Sequence, residues 1–356
     1  MTRYEVAYIG TGPEPDNPQW GKSAAMAYRH ATAYDEHPMC VSVACADIVE
    51  ENARAFAKRT GIDEANVFTD YERLLESVGP DLLSICTPVP THADIVVDCA
   101  TSEFAPQAIH CEKPMADTMA ESRRMARVCT NEGVQLTFNH QRRVATPSRR
   151  VARIVEDGTI GDPTRVELSA KNLFDAGTHA IDLCTFVLGD RSAEWVMGQI
   201  DYRRKNVRYG VHNENEAFVR IRYEGGVDAV VATGVDDDFV DATLRVTGTE
   251  GTVELHSWAD DQIRLKRGET ASWEGIDTGE PTSDIPAAID DLVVGLETDS
   301  KPSLHASNAL TTMEIIFGTY ESARRRARVD FPLRIDDNPL VSMVEAGEIT
   351  PDPVDE

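Results

Sequence analysis

Two α/β domains are predicted for this chain: first a doubly wound parallel sheet, then an α/β domain carrying a large, mostly antiparallel open sheet. Three observations lead there. Short apolar runs alternate with helical patterns up to about residue 145, and turn-separated apolar runs follow one another from about residue 146 to 335. The length, 356 residues, is enough for two hydrophobic cores. Residues 336–356, rich in Asp, Glu and Pro, are expected to form an acidic C-terminal tail.

In the first part YEVAYIG, CVSVACAD, DLLSICTP, PQAIHCEK and VQLTFNH have strand length and β-branched or aliphatic content. The segments GKSAAMAYRHATAYDEH, VEENARAFAKRTG, HADIVVDCATSE and DTMAESRRMARVCTNEG carry helical spacing between them. Strands alternating with helices imply right-handed crossovers and a parallel sheet, whose ligands sit at the carboxyl ends of the strands. In the second part the helix SRRVARIVEDG precedes the runs TRVELSAKN, AEWVMGQIDYRR, EAFVRIRYE, VDAVVATGV, ATLRVTG and TVELHSW. Turn signals such as EGGV and GTEG separate them, so neighbouring strands should pair antiparallel. Helices around TFVLGD and over SNALTTMEIIFGTYESARRRA are expected to cover that sheet.

Charge narrows the function classes. Asp and Glu number 61 against 35 Lys and Arg, a net charge of −26 that repels phosphate backbones and anionic membranes. Only seven of the basic residues are lysine, and scattered acid with scarce lysine is the pattern of adaptation to high salt. The seven cysteines include no C-x-x-C pair, which reads as buried free thiols in a reducing cytoplasm rather than a disulfide or zinc framework. No run reaches the length of a membrane span, so a soluble cytoplasmic protein is expected.

The chemistry begins at YIGTGPEPDNPQWGK, after the first strand and before a helix. Gly10 and Gly12 match the first two glycines of a dinucleotide-binding turn, and Gly21 stands for the third after an insertion of six residues. Asp47 ends the second strand, where a carboxylate can hold the hydroxyls of an adenosine ribose. Ile48 rather than Arg or Ser follows it, which favours NAD with NADP as the alternative, although Arg54 lies a turn or two away.

The series GTG, AD, SICTPVPTHADIV, HCEKPMADT, LTFNHQRRV, GTIGDPTRVEL and FDAGTHAIDL, in this order and spacing, resembles the Gfo/Idh/MocA family of glucose-fructose oxidoreductases and inositol dehydrogenases. The resemblance implies a Rossmann-type NAD(P)-binding domain over 1–145 and a substrate-binding and oligomerisation domain over 146–335. It also implies hydride transfer between a nicotinamide and a sugar, cyclitol or related polyol, and assembly as a homodimer or homotetramer. In that pattern Lys113 of Glu-Lys-Pro reaches substrate and cofactor, and an ammonium there stabilises a developing alkoxide. Pro114 restricts the residue before it to extended backbone. Asp175 contacts substrate and His179 acts as general acid/base, a role suited to a group that titrates near neutrality. Asp182 is assigned to the substrate side, where it could orient the imidazole.

Thr87, Pro88 and His92 match the T-P-x-x-x-H turn that passes near the nicotinamide, and Glu112 is placed on its ribose. Asn139 and Arg142 are expected to line the substrate site, and Arg203, His212, Asn213 and Asn215 are further candidates for sugar hydroxyls. Only eleven residues, TRVELSAKNLF, lead into Asp175, a shorter segment than relatives commonly have, so substrate identity does not transfer. No metal-ligand set is expected. The alternatives are a catalytically silent sensor of the same fold and, more remotely, a metal-dependent lyase using Asp175 and His179.

Overall fold

The computed structural model describes residues 3–15, 26–234, 239–256, 262–268, 270–278 and 284–353. In chain order its elements are β1 Tyr4–Ile9, α1 Met26–Glu36, β2 Cys40–Ala46, α2 Glu50–Thr60, β3 Val67–Phe68, α3 Tyr71–Val78, β4 Leu82–Ile85, α4 His92–Thr101, β5 Ala108–Cys111, α5 Met119–Glu132 and β6 Gln135–Phe138. There follow α6 Thr146–Glu156, β7 Pro163–Ala170, α7 Gly177–Val187, β8 Ala193–Asp201, β9 Val207–Arg208, β10 Val211–His212, β11 Glu216–Tyr223, β12 Val227–Thr233, β13 Leu244–Gly248, β14 Gly251–Leu255, β15 Ile263–Arg267 and β16 Glu274–Ile276. The last are α8 Asp284–Thr298, α9 Ala306–Arg325, β17 Val329–Asp330 and α10 Pro339–Glu345.

Two compact units result. The first comprises residues 1–116, 121–141 and 283–307, the second 117–120, 142–282 and 308–356. The first unit is a parallel sheet in the order β3-β2-β1-β4-β5-β6. Strand order reverses between β1 and β4, which opens a crevice at their carboxyl ends, the ligand position of doubly wound sheets. The core centres on Tyr8 of β1, whose ring meets Tyr34 of α1 at 6.0 Å and Phe56 of α2 at 5.0 Å between centroids. From α1 the residues Ala27, His30, Ala31 and Tyr34 all point inward, spaced as one helical face.

β3 and α3 were not anticipated. β3 is two residues long and exists through its pairing with β2, while α3 starts where Asp70 accepts hydrogen bonds from the amides of Glu72 and Arg73. α8, also unforeseen, returns to the first unit from far along the chain. It buries Ile285, Ile289 and Leu292 in the same core, and Gln135 of β6 donates its Nε2 to the Leu292 carbonyl at 2.9 Å.

The second unit is built on a mixed sheet in the order β16-β15-β14-β13-β7-β12-β11-β8-β17, nine strands among the described residues. β12 pairs with β7 in parallel, and the remaining neighbours pair antiparallel. One face carries Val196, Val219 and Ile221 into the core beneath α9 and the buried α7. Gly198 permits the approach of α9, because a Cβ there would stand 2.6 Å from the Thr319 methyl. The opposite face is open: Met197 and Phe218 are about half exposed, and Arg220 and Arg222 share Asp228 while lying over the Trp195 ring.

The expected C-terminal tail is in part a packed helix. Asn338 caps α10 by accepting from the amides of Leu340 and Val341, and Leu340 and Met343 are buried. Among the described residues no helix is long and apolar enough to cross a membrane.

The second unit also encloses an ion pair. Arg143, 1 % exposed, donates from Nε and Nη2 to the buried Asp182 carboxylate, with Nη2 to Oδ1 at 2.8 Å, and reaches Asp190 through Nη1 at 2.7 Å. Removing one partner strands the other charge in the interior. Arg143→Met is therefore expected to lose about 3–5 kcal/mol of stability, read as a fall in urea midpoint at constant slope. A loss below about 1 kcal/mol would show that the pair contributes no more than an exposed one.

Candidate functional site

At the carboxyl end of β1 the chain turns through Gly10 and Gly12, both in the left-handed region at φ +81° and +64°. A Cβ on Gly10 would lie 2.5 Å from the Thr87 methyl and 2.9 Å from the Thr87 amide nitrogen, so only glycine fits against the turn after β4. Asp47 closes the other side. Its Oδ2 accepts from the Gly12 amide at 2.8 Å and from Thr11 Oγ1 at 3.2 Å, and its Oδ1 accepts from the Val49 amide at 2.9 Å. A carboxylate has about four acceptor positions, so this arrangement pins the glycine turn and leaves capacity for a ribose hydroxyl. A close-packed glycine turn with an acid at the tip of β2 fits a dinucleotide. Gly21 lies outside the described residues.

Thr87 and Pro88 lead from β4 into α4, and His92 braces them from behind. Its ring is wholly buried, with Nε2 2.8 Å from the Thr87 carbonyl and Nδ1 3.0 Å from that of Pro114. Burial holds its pKa below the ordinary imidazole value despite those carbonyls. The histidine expected near the cofactor thus joins the Thr-Pro turn to the Glu-Lys-Pro turn.

Glu112 is the hub of the second turn. Oε1 accepts from Asn139 Nδ2 at 2.7 Å and lies 3.0 Å from His30 Nε2, while Oε2 accepts from the Lys113 amide at 3.2 Å. The other nitrogen of His30, Nδ1, meets Ser84 Oγ at 2.9 Å. Asn139, expected to line the substrate site, is 1 % exposed and turned into this network. Burial works against both charges, yet each partner wins: the bond and charge of His30, with Asn139 and Lys113, hold Glu112 well below the usual carboxylate range, and Cys86 and Glu112 hold His30 well above the usual imidazole range. Lys113 itself is half-buried.

In the second unit, Asp175 lies in the turn before α7 and His179 in its first turn. Asn172 caps this entry: its Oδ1 accepts from the amides of Asp175 at 3.0 Å and Ala176 at 2.8 Å. Asn213 Oδ1 accepts from the same Asp175 amide at 3.1 Å. Glu214, fully buried, holds Leu173, two residues before Asp175: Oε1 accepts from the Leu173 amide at 2.6 Å and Thr233 Oγ1 at 2.9 Å, and Oε2 from the Tyr320 hydroxyl at 2.6 Å. Burial raises its pKa against those donors. Gly177 admits the fold-back, since a Cβ there would sit 2.6 Å from the Asn172 carbonyl oxygen.

Asp175 is half-buried and His179 only 7 % exposed, while Arg142 sits half-buried in the single turn before α6. Asp182 gives its carboxylate to Arg143. Asn213 and Asn215 serve the backbone, Asn215 Oδ1 accepting from the Arg204 amide at 2.8 Å. Arg203 pairs with Asp201, and His212 Nδ1 meets the Tyr202 hydroxyl at 2.6 Å.

Comparison with known proteins agrees with this architecture. A family model described as "Oxidoreductase family, NAD-binding Rossmann fold" matches residues 21–140, and one described as "GFO/IDH/MocA C-terminal domain" matches 166–254, together more than half of the chain. The chain belongs to the Gfo/Idh/MocA oxidoreductase family. Its first unit carries the NAD-binding Rossmann domain of that family. It is 24 % identical to a D-apiose dehydrogenase of Paraburkholderia graminis, over 98 % of this chain and 95 % of that protein. It is likewise 24 % identical to a D-xylose 1-dehydrogenase [NADP(+)] of Haloarcula marismortui, over 79 % and 82 %. An oxidoreductase from Agrobacterium radiobacter, solved in complex with NAD+, L-tartaric acid and magnesium, shares the fold at a TM-score of 0.75 and 20 % identity, covering 92 % of this chain and 98 % of that one.

Within this Gfo/Idh/MocA chain, His30, Asn172 and Glu214 are the supports that sequence reading missed. His30 was the most accessible of them, because it falls in the inward stripe of α1 among Ala27, Ala31 and Tyr34. Glu214, inside the run HNENE, reads as surface until the strands assemble around it.

The signs of the His30 and Glu112 shifts set a pH dependence. The lowered carboxyl contributes stability above the ordinary carboxylate value, lost as pH falls toward its folded pKa; the raised imidazole contributes below its ordinary value, lost as pH climbs toward its folded pKa. The stability gap between wild type and a His30→Gln, Glu112→Gln double variant should be widest between the ordinary values, 4.5 and 6.5, and narrow on either side. A gap independent of pH, in urea unfolding from about pH 4 to 9, would remove the ion pair.

Proposed function

We propose that this chain is an NAD-dependent oxidoreductase acting on a secondary alcohol, hemiacetal or carbonyl of a sugar, cyclitol or related polyol. The observation that carries the reading is the support built behind each expected reacting group. Lys113 has its amide held by buried Glu112, and Asp175 has its amide held by Asn172 and Asn213 next to a segment held by buried Glu214. A ligand-sensing relative would have no use for such positioning of an acid/base set.

Gly10, Gly12, Asp47, Thr87 and Pro88 would hold the dinucleotide. When bound, the nicotinamide supplies the two-electron chemistry. NAD is favoured over NADP because Ile48 follows Asp47, fully exposed, and Arg54 is engaged by Glu50 at 2.7 Å. In the oxidative direction His179 removes the substrate hydroxyl proton, Lys113 stabilises negative charge on that oxygen and Asp175 hydrogen-bonds a neighbouring hydroxyl. The relatives named for apiose and xylose support a sugar. The open face bearing Met197 and Phe218 supports self-association as a homodimer or homotetramer, readable by light scattering. The excess of acid over lysine supports a requirement for salt, so activity belongs in molar salt.

The test is a titration with NADH and NADPH, followed by a polyol and sugar panel read at the nicotinamide absorbance. Lys113→Met is expected to lower kcat about 100-fold or more while NAD affinity changes little, and His179→Asn to lower it by about 100-fold or more. Equal losses of kcat and NAD affinity in Lys113→Met would contradict its role. Tight NADH binding with no turnover across the panel would favour the sensor.

A further inference from the structure

Among the seven cysteines, Cys86 differs in surroundings from the rest. Cys40, Cys45, Cys99, Cys111, Cys129 and Cys184 are buried, and burial pushes each thiol above its ordinary range. Cys86 is partly exposed, at the end of β4. Its Sγ lies 3.6 Å from His30 Nδ1, and the opposite nitrogen of that ring is 3.0 Å from the Glu112 carboxylate. A thiol, an imidazole and a carboxylate in line are the parts that convert a thiol into a thiolate–imidazolium pair. The other groups at the ring are Ser84 Oγ, 2.9 Å from Nδ1, Asn139 Nδ2, 3.1 Å from Nε2, and the His110 ring, 5.2 Å away between centroids.

The position gives the thiol a consequence. The Cys86 amide donates to the Ile9 carbonyl at 2.9 Å, and the Cys86 carbonyl carbon would stand 3.1 Å from a Cβ on Gly10, so this residue adjoins the glycine turn. We propose that Cys86 is a modification site: a thiol activated by His30 and Glu112 that peroxide oxidises to a sulfenic acid, such modification and dinucleotide binding excluding each other. The sulfur lone pair attacks one peroxide oxygen, the S–O bond forms and the O–O bond breaks. Sulfur loses two electrons, the departing hydroxide takes a proton from the His30 imidazolium so that peroxide is reduced to water, and the proton released when the thiol ionises restores the imidazolium through solvent. The activation stands apart from the proposed polyol chemistry; only the exclusion rests on NAD binding by the first unit.

The experiment uses the full chain without substrate. Iodoacetamide, and separately hydrogen peroxide with dimedone, are applied at neutral pH and the sites are read by peptide mass spectrometry against glutathione as the reference thiol. Cys86 is expected to label about 10-fold or more faster than glutathione and ahead of the other six, with the advantage lost in His30→Gln and labelling slowed by saturating NAD+. Labelling no faster than glutathione would overturn the activation. So would an unchanged rate in a His30→Gln chain whose far-UV circular dichroism matches wild type. Fast labelling that saturating NAD+ leaves unchanged would overturn the exclusion, while Lys113→Met turnover tests the oxidoreductase reading independently of either result.

Discussion

A carboxylate buried at the end of β5 organises the nucleotide-binding unit. Glu112 has little water around it, so its charge is tolerated only while donors surround it. Those donors come from three other places in the chain: His30 on α1, Asn139 after β6, and the amide of the adjoining Lys113. Satisfying one charge therefore ties the helix of the dinucleotide turn to the tips of the strands beside it, and the backbone of Lys113 is fixed as a result. His92 adds a second tie, behind the Thr87 and Pro114 turns. The glycine turn rests against the same framework through Thr87, which leaves no room for a side chain on Gly10.

The second unit repeats the device with different electrostatics. Glu214 is buried as Glu112 is and also anchors a loop by its backbone amide, but the hydrogen bonds it accepts come from neutral donors. Without a cation at hand, burial dominates and its pKa moves up, whereas Glu112, facing His30, moves down. In both units a residue expected to do chemistry has its main chain held, Lys113 through its amide by Glu112 and Asp175 through its amide by Asn172 and Asn213. Arg143 and Asp182 form a third buried charge system, and it joins the segment entering α6 to α7.

Most strands and most helices were legible because period-2 and period-3.6 patterns extend over enough residues to exceed local noise. β3, at two residues, and the short α3 had too few to register. α8 was missed because its pairing with the first unit is set by contacts with Tyr-rich and Ala-rich surfaces more than a hundred residues earlier. GTG, Glu-Lys-Pro and Asp-x-x-x-His were legible as motifs because each is local. The site was not legible where a polar residue is satisfied by distant partners: Asn139 and Asp182 read as pocket residues, yet their side chains are engaged by Glu112 and Arg143.

The amino-acid order by itself determined the parallel sheet, the mostly antiparallel open sheet after it, the glycine turn after β1 and the family, because each is written in short-range spacing. Tertiary structure alone decided which polar groups face solvent and which are consumed internally. His30 shows the reason. On α1 it is one more member of an inward stripe, and only when β4 and β5 bring Ser84, Cys86 and Glu112 around its ring does it become the partner that makes a buried charge sustainable. Burial and pairing are properties of the assembled neighbourhood, and no run of residues carries them.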